Sequence, residues 1–487
     1  MKKTLITLML LLAFVTIFSQ SNIIISGENN AIYTHRTAKD SLSNYFENEL
    51  NLRIDQRVFS FGMTFRAELP KYDQFQAIHE LHPNQVHTEW SERFVQLNLE
   101  HLRLKAGTLE ESFGSGIVLR AWNDKDNNRD KRLEGAQIHS SYKNFRFSGI
   151  YGALREDVIE QSIYEKDILL GADVEYRPFP FFNFGISAVE YKQKNLIPFS
   201  TPYTHHNIYG GRFGVMTDLF DLTAEYAELR RSHGVSKPFT GTAIYANGNF
   251  YIGPLTLTSG YKRYDDFQDY PLSDLPTLNH YDELLFSYDN NIKYEEGLLG
   301  EIRYIPNFEN EFLVSYGESW NNNFQVRYYN LFAEYKRYFS NFSLTLDYEH
   351  VEKIKKDLQE WEKELKPSVY LDFFSFNKPM TAKLEWSYNE EEISDDKTSY
   401  NKPIITVDAS INDRLSIAVF ASNKFKNFGE IPDKKVYLGT EIVTSIASHT
   451  DLTLFLGKEQ GGKVCRNGVC KTQAPFEGLK LTLTTRF

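Results

Sequence analysis

Apolar and polar residues alternate in short segments along most of this 487-residue chain. Leu50, Leu52 and Ile54 alternate with Glu49, Asn51 and Arg53, and Phe59, Phe61, Met63 and Phe65 with Ser60, Gly62, Thr64 and Arg66. The same period of two runs through residues 220–226, 342–349 and 380–388 and, more weakly, 415–419. A period of two makes a strand with one oily face and one wet face. The closing stretch, FEGLKLTLTTRF at 476–487, turns Leu479, Leu481, Leu483, Thr485 and Phe487 one way and Lys480, Thr482, Thr484 and Arg486 the other. In water, a terminal strand with a bare apolar face invites aggregation. In an outer-membrane barrel, the oily face meets lipid, the wet face lines the lumen and the edge closes on the first strand.

The connectors alternate as well. Short turns are expected near 55–56, 143–144, 253–254, 340–341, 412–413 and 445–447. Longer polar loops are expected near 35–44, 69–88, 121–132, 153–166, 192–205, 265–282, 351–364, 389–401, 425–433 and 458–475. Short turns at one end and long loops at the other predict an all-β fold. It is a single transmembrane antiparallel β-barrel of about 24 strands, between 20 and 26, with short periplasmic turns and long outer loops. The charged run Val351 to Lys366 reads as a loop or one short helix, and the acidic run NEEEISDDK from Asn389 to Lys397 as a loop suited to partner contacts.

At the start of the chain, Lys2 and Lys3 precede an apolar run from Leu5 to Phe18 and a polar Ser19-Gln20-Ser21. Residues 1–20 therefore read as a secretory signal and 21–487 as the barrel. The first strand is expected from Asn22 to Tyr33, leaving no room for a plug domain ahead of it. Composition agrees with strands and interfacial girdles, since aromatics make up 15% of the chain, with 37 Phe and 30 Tyr. The net charge of −11 argues against a nucleic-acid partner, which would meet a basic face. The two cysteines, Cys465 and Cys470, flank Arg-Asn-Gly-Val. That spacing in an exported chain predicts a disulfide at the tip of the last outer loop.

Other candidate chemistry is sparse. Ser115 lies between Gly114 and Gly116, but Phe113 and Ile117 stand where a nucleophile elbow needs glycines, so the stretch reads as a strand kink or bulge. Glu111 and Arg120 are candidates for a lumenal constriction, paired across that bulge. Asp124, Asp126, Asn128 and Asp130 alternate as in a calcium loop, but Arg129 and Gly135 occupy the positions where Gly and Glu are needed. His79, His82, His87, His205 and His206 show no metal spacing. Neither a cofactor nor an enzymatic activity is expected.

The run ESFGSGIVLRAWNDKDNNRDKRLEGA at 111–136 resembles an uncharacterised outer-membrane barrel family of Bacteroidota-type bacteria. The resemblance is carried by Glu111, Phe113, Gly114, Ser115, Gly116, Leu119, Arg120, Asp130, Leu133 and Gly135. It extends to Gly461, Gly462, Cys465, Gly468, Val469, Cys470 and the strand 476–487, and more loosely to 25–30. Asn123, Asp124 and Lys125 stand where that family has paired acids and an arginine. The resemblance implies a barrel and no established activity.

Lys383 and Glu385, Asp347 and Glu349, and Thr482 and Arg486 each share a wet face opposite an oily row. A charge in lipid costs about 2–4 kcal/mol near the midplane, so these side chains are expected inside, in a hydrated lumen. The functional expectation is a porin-like or loop-gated channel for small polar solutes in the cell outer membrane. The alternative is a non-conducting scaffold for envelope assembly or secretion. Expected partners are outer-membrane lipid, the barrel-assembly machinery reading Phe487, and an envelope protein.

Overall fold

Twenty-four antiparallel strands form one continuous sheet that closes on itself. This structure is a computed structural model. It describes residues 23–37, 43–69, 87–124, 129–155, 167–194, 203–233, 239–267, 270–278, 284–285, 292–356, 359–393, 396–426, 436–467 and 469–487, without the side chains of 87, 124, 129, 233, 462–465 and 469–473. The expected signal segment, His79, His82, the side chain of His87 and most of the calcium-like run lie outside the described residues.

Each wall strand pairs with its neighbours in chain order, and the strand Ile24–Arg36 meets the last strand, Phe476–Arg486, with Glu28 opposite Arg486. Arg486 pairs with Glu28 at 3.0 Å and with Asp451 at 2.7 Å, while Phe487 and Gly27 exchange backbone hydrogen bonds of 2.8 and 3.0 Å. The Phe487 ring lies over Gly27, where a Cβ would meet it.

The period of two sets the two faces. Leu170, Ile186, Tyr209, Val314, Leu384 and Leu456 stand out on the outer surface. On the same surface, near the short turns, aromatic pairs such as Phe145–Tyr176, Phe312–Tyr335 and Phe339–Phe342, with centroids 4.5, 4.7 and 4.2 Å apart, form a girdle. The opposite rows carry charge. Lys383 and Glu385 pair at 2.8 Å, and Arg212 holds Asp173 at 2.6 Å.

Two loop expectations are corrected. Val351 to Lys366 is neither loop nor helix but the upper part of a hairpin between strands Phe342–Lys355 and Glu360–Ser375. The run 389–397 lies in the neighbouring hairpin of Lys378–Ile393 and Asp396–Asn412. These strands, 16 and 17 residues long, continue beyond the apolar band, where both faces are wet and alternation no longer marks them.

Candidate functional site

The lumen is not open throughout. The connection between strands Leu102–Leu109 and Leu133–Tyr142 folds inward as a small hairpin, Glu111–Phe113 with Leu119–Ala121. Gly114-Ser115-Gly116 is the tight turn of this insert rather than a bulge in a wall strand. Gly114 and Gly116 take φ of 60° and 98°, a left-handed backbone that glycine adopts without strain. Phe113 packs over Gly171, whose bare Cα is ringed also by Ile150 and Val189, and Val118 fills the niche at Gly210. These wall positions face opposite to the exposed, outward-facing Leu170 and Tyr209, so the contact is inside the barrel. The Ser115 N–H donates to the Glu225 carboxylate at 2.8 Å, which gives the turn an anchor on the strand Phe220–His233.

Described parts of a second connection, 270–278 and 284–285, fold in beside the first. The Arg120 N–H donates to the Leu272 carbonyl at 2.7 Å and the Asp274 N–H to the Gly116 carbonyl at 3.0 Å. The Arg120 guanidinium pairs with the Asp274 carboxylate and lies 4.3 Å from the Trp122 ring. This second segment has its own wall anchor, because Glu295 accepts the Leu285 N–H at 3.0 Å while paired to the fully buried Lys262. Around both inserts, Leu109, Leu133, Leu169, Tyr191, Ile208 and Leu229 complete a dry cluster that includes Phe267, Tyr270, Leu272 and Leu285. Burial raises the Tyr270 phenol well above its ordinary range.

The expectation of a hydrated interior rather than an apolar filling is therefore corrected at the long-loop end, where the lumen holds an apolar core. The signal for it lies in the wall strands. Val189 and Tyr191 are apolar on the opposite parity to Phe184 and Ile186, as expected only where both faces are covered.

Glu111 and Arg120 do not pair with each other. In the insert, Glu111 lies opposite Ala121 and Arg120 opposite Ser112, so the two charges leave by opposite faces. Glu111 instead accepts from Gln137 at 2.7 Å and from the Ser112 N–H at 3.1 Å, with the His139 ring 3.2 Å away. Burial raises its carboxyl above the ordinary value, against the effect of these donors. Asp130 lies at the rim between Arg132 at 2.8 Å and Arg155 at 2.9 Å. A Cβ at Gly135 would strike the Tyr151 carbonyl, so glycine there lets neighbouring strands approach closely. Among the described residues, no group of His, Cys, Asp and Glu is placed to hold a metal, and His205 and His206 face Glu190 and Gln193.

A third inward segment is the cysteine hairpin. Its strands Gly462–Arg466 and Val469–Gln473 place Cys465 directly opposite Cys470 in the backbone register, and the cysteine side chains lie outside the described residues. The expectation of an outward tip is corrected. Arg466 and Asn467 reach the lumenal residues Asp408, Glu441 and Glu459. Below them, a cavity of about 520 Å³ opens beside Asp372, Thr381, Asp408 and Asn467. A second cavity, about 540 Å³, lies beside Glu28, Asn51, Arg53 and Arg486.

A model described as a family of unknown function, DUF6029, matches residues 1–288. No curated protein matches. Among solved structures, the translocation pore of the P pilus usher (PapC) superposes with a TM-score of 0.51 at 8% identity, covering 96% of this chain and 99% of that one. The siderophore receptor PirA from Pseudomonas aeruginosa gives 0.48 at 8% identity over 95% and 80% of the two chains. The anion-selective porin from Comamonas acidovorans gives 0.34 at 10% over 62% and 90%. The usher likeness is one of fold.

Proposed function

This chain belongs to the family of unknown function DUF6029, and we propose that it is an outer-membrane barrel that passes small polar solutes through a lumen gated by its own inserted segments. The observation that carries this reading is the division of the interior. Charged pairs such as Lys383–Glu385 and Arg212–Asp173 line the wall, while the two inserts clasped by Arg120 and Asp274 fill the long-loop end. A wall of more than about 16 strands leaves a channel unless something fills it. Here the filler is attached by the side contacts of two connections rather than by the sheet ladder, so it can move without opening the wall. The likeness in fold to the usher's translocation pore fits a transport role. Phe487, closing the seam over Gly27, fits a role as the residue read during barrel assembly.

Liposome swelling tests the reading. Purified protein should admit small sugars and amino acids slowly, and Asp274→Asn should raise the rate several-fold. Equal, negligible swelling by both proteins, together with stable co-purification of an envelope protein, would favour the scaffold alternative.

A further inference from the structure

The chain between the strands Thr450–Glu459 and Phe476–Arg486 makes an excursion that the wall does not require. Glu459 and Phe476 are direct ladder partners, so a two-residue turn could have joined them. Instead, the chain leaves at Gly461, whose φ of 87° suits glycine, and the strands Gly462–Arg466 and Val469–Gln473 form a ladder of their own. That ladder has no register with a wall strand among the described residues.

The tip of this arm ends in a socket supplied by the wall. Arg466 is only 5% exposed. Its guanidinium donates to Glu459 at 2.6 Å, lies 3.9 Å from Glu441, and stands 4.9 Å from the ring centroids of both Phe420 and Phe455. Asn467 adds an N–H bond to Asp408 at 3.1 Å and an amide bond to Glu441 at 3.2 Å. Two aromatic faces and two carboxylates around one planar cation is the chemistry that selects a guanidinium over an ammonium. All four wall groups sit on three adjacent strands, Leu415–Asn423, Val436–Ala447 and Thr450–Glu459. The socket is thus rigid, and its occupant rides on a separable arm.

We propose that Phe420, Glu441, Phe455 and Glu459 form a guanidinium-binding site in the lumen, filled at rest by Arg466, which an arginine-bearing ligand displaces. Displacement frees the arm from the wall. Its consequence for gating rests on the channel reading above, but binding to the socket does not. An occupant tethered by a short segment competes at an effective concentration on the order of millimolar. The resting protein should therefore bind free ligand weakly, and emptying the socket should strengthen binding.

Calorimetry on the full chain in detergent tests the site, with acetyl-arginine amide as probe and acetyl-lysine amide as control. Arg466→Ala should bind the arginine probe at least tenfold more tightly than the unaltered protein and at least tenfold more tightly than it binds the lysine probe. Adding Glu441→Gln should abolish the gain. Arg466→Lys, which keeps a cation on the arm without the planar fork, should lie between the two. Folding is checked by heat-modifiable gel migration, and if Arg466→Ala is unfolded, the comparison is made on Arg466→Lys. A folded variant that binds neither probe, or both equally, would overturn the proposal whether or not the barrel conducts. Arginine binding without any solute flux would sustain the site and count against the channel alone.

Discussion

Val118 fits into the space that a side chain at position 210 would occupy, so that a Cβ on Gly210 would collide with its methyl group. The two residues are 92 positions apart and belong to different parts of the barrel, one to the first insert and one to the strand Tyr203–Met216. The fit is specific to the folded-in state. Gly210→Ala should therefore destabilise the inserted segment by about 1–3 kcal/mol, the usual cost of overpacking. Val118→Ala in the same chain should recover part of that loss, which near-UV circular dichroism melting can follow.

Packing, more than charge, holds the first insert. Arg120 and Asp274 are each roughly two-fifths exposed, 39% and 41% for their side chains, and a pair so wet contributes about 0–1 kcal/mol. Phe113 is buried, and cutting such a ring to Ala costs about 3–5 kcal/mol. Phe113→Ala should lower the melting midpoint far more than Arg120→Gln does. Equal shifts would mean that the ion pair is the main latch.

The second insert depends on a buried pair. Lys262 and Glu295 are both 0% exposed, and Glu295 also holds the Leu285 N–H. Lys262→Met leaves a carboxylate without its counter-charge and should cost about 3–5 kcal/mol. Lys262→Met with Glu295→Gln removes both charges and should restore most of the loss, because a neutral pair needs no buried compensation. Thermal unfolding of the two variants checks this.

Glu111 gives the closed state a pH dependence. Burial raises its carboxyl in the folded state, so its contribution is complete below the ordinary value of 4.5 and is lost as pH rises through the raised one. His139, Arg103 and Asp173 act on the same group. Glu111→Gln keeps the shape and stays neutral. Between pH 4.5 and 7.5 the unaltered protein should lose more melting temperature than Glu111→Gln does.

The wall was legible because an apolar outer face over a charged inner one imposes a strict alternation. The segments 342–349 and 380–388 show it, and so do the turns at Lys143-Asn144 and Gly253-Pro254. Where the strands rise above the apolar band, as at Val351 to Lys366, water wets both faces and charge density resembles that of a loop. The inserts were less legible for a different reason. Arg120 meets Asp274 across 154 positions, and no local spacing encodes such a partner. The glycines of 114–116 did mark a special backbone, but a bulge and a tight turn ask for the same residue. Likewise, the cysteine spacing identifies a hairpin and says nothing about whether its tip points out or in.

The central claim is a charged lumen closed by movable inserts, and single-channel recording tests it most directly. In planar bilayers the unaltered protein should stay mostly closed, while Phe113→Ala, which removes the main packing hold on the first insert, combined with Arg466→Gln should show discrete conductance steps. Adding Glu385→Gln to that open variant should shift its reversal potential in a salt gradient away from cations, because Glu385 is a lumenal carboxylate beside Lys383. Silence from the folded double variant, or steps whose selectivity ignores Glu385, would contradict the account.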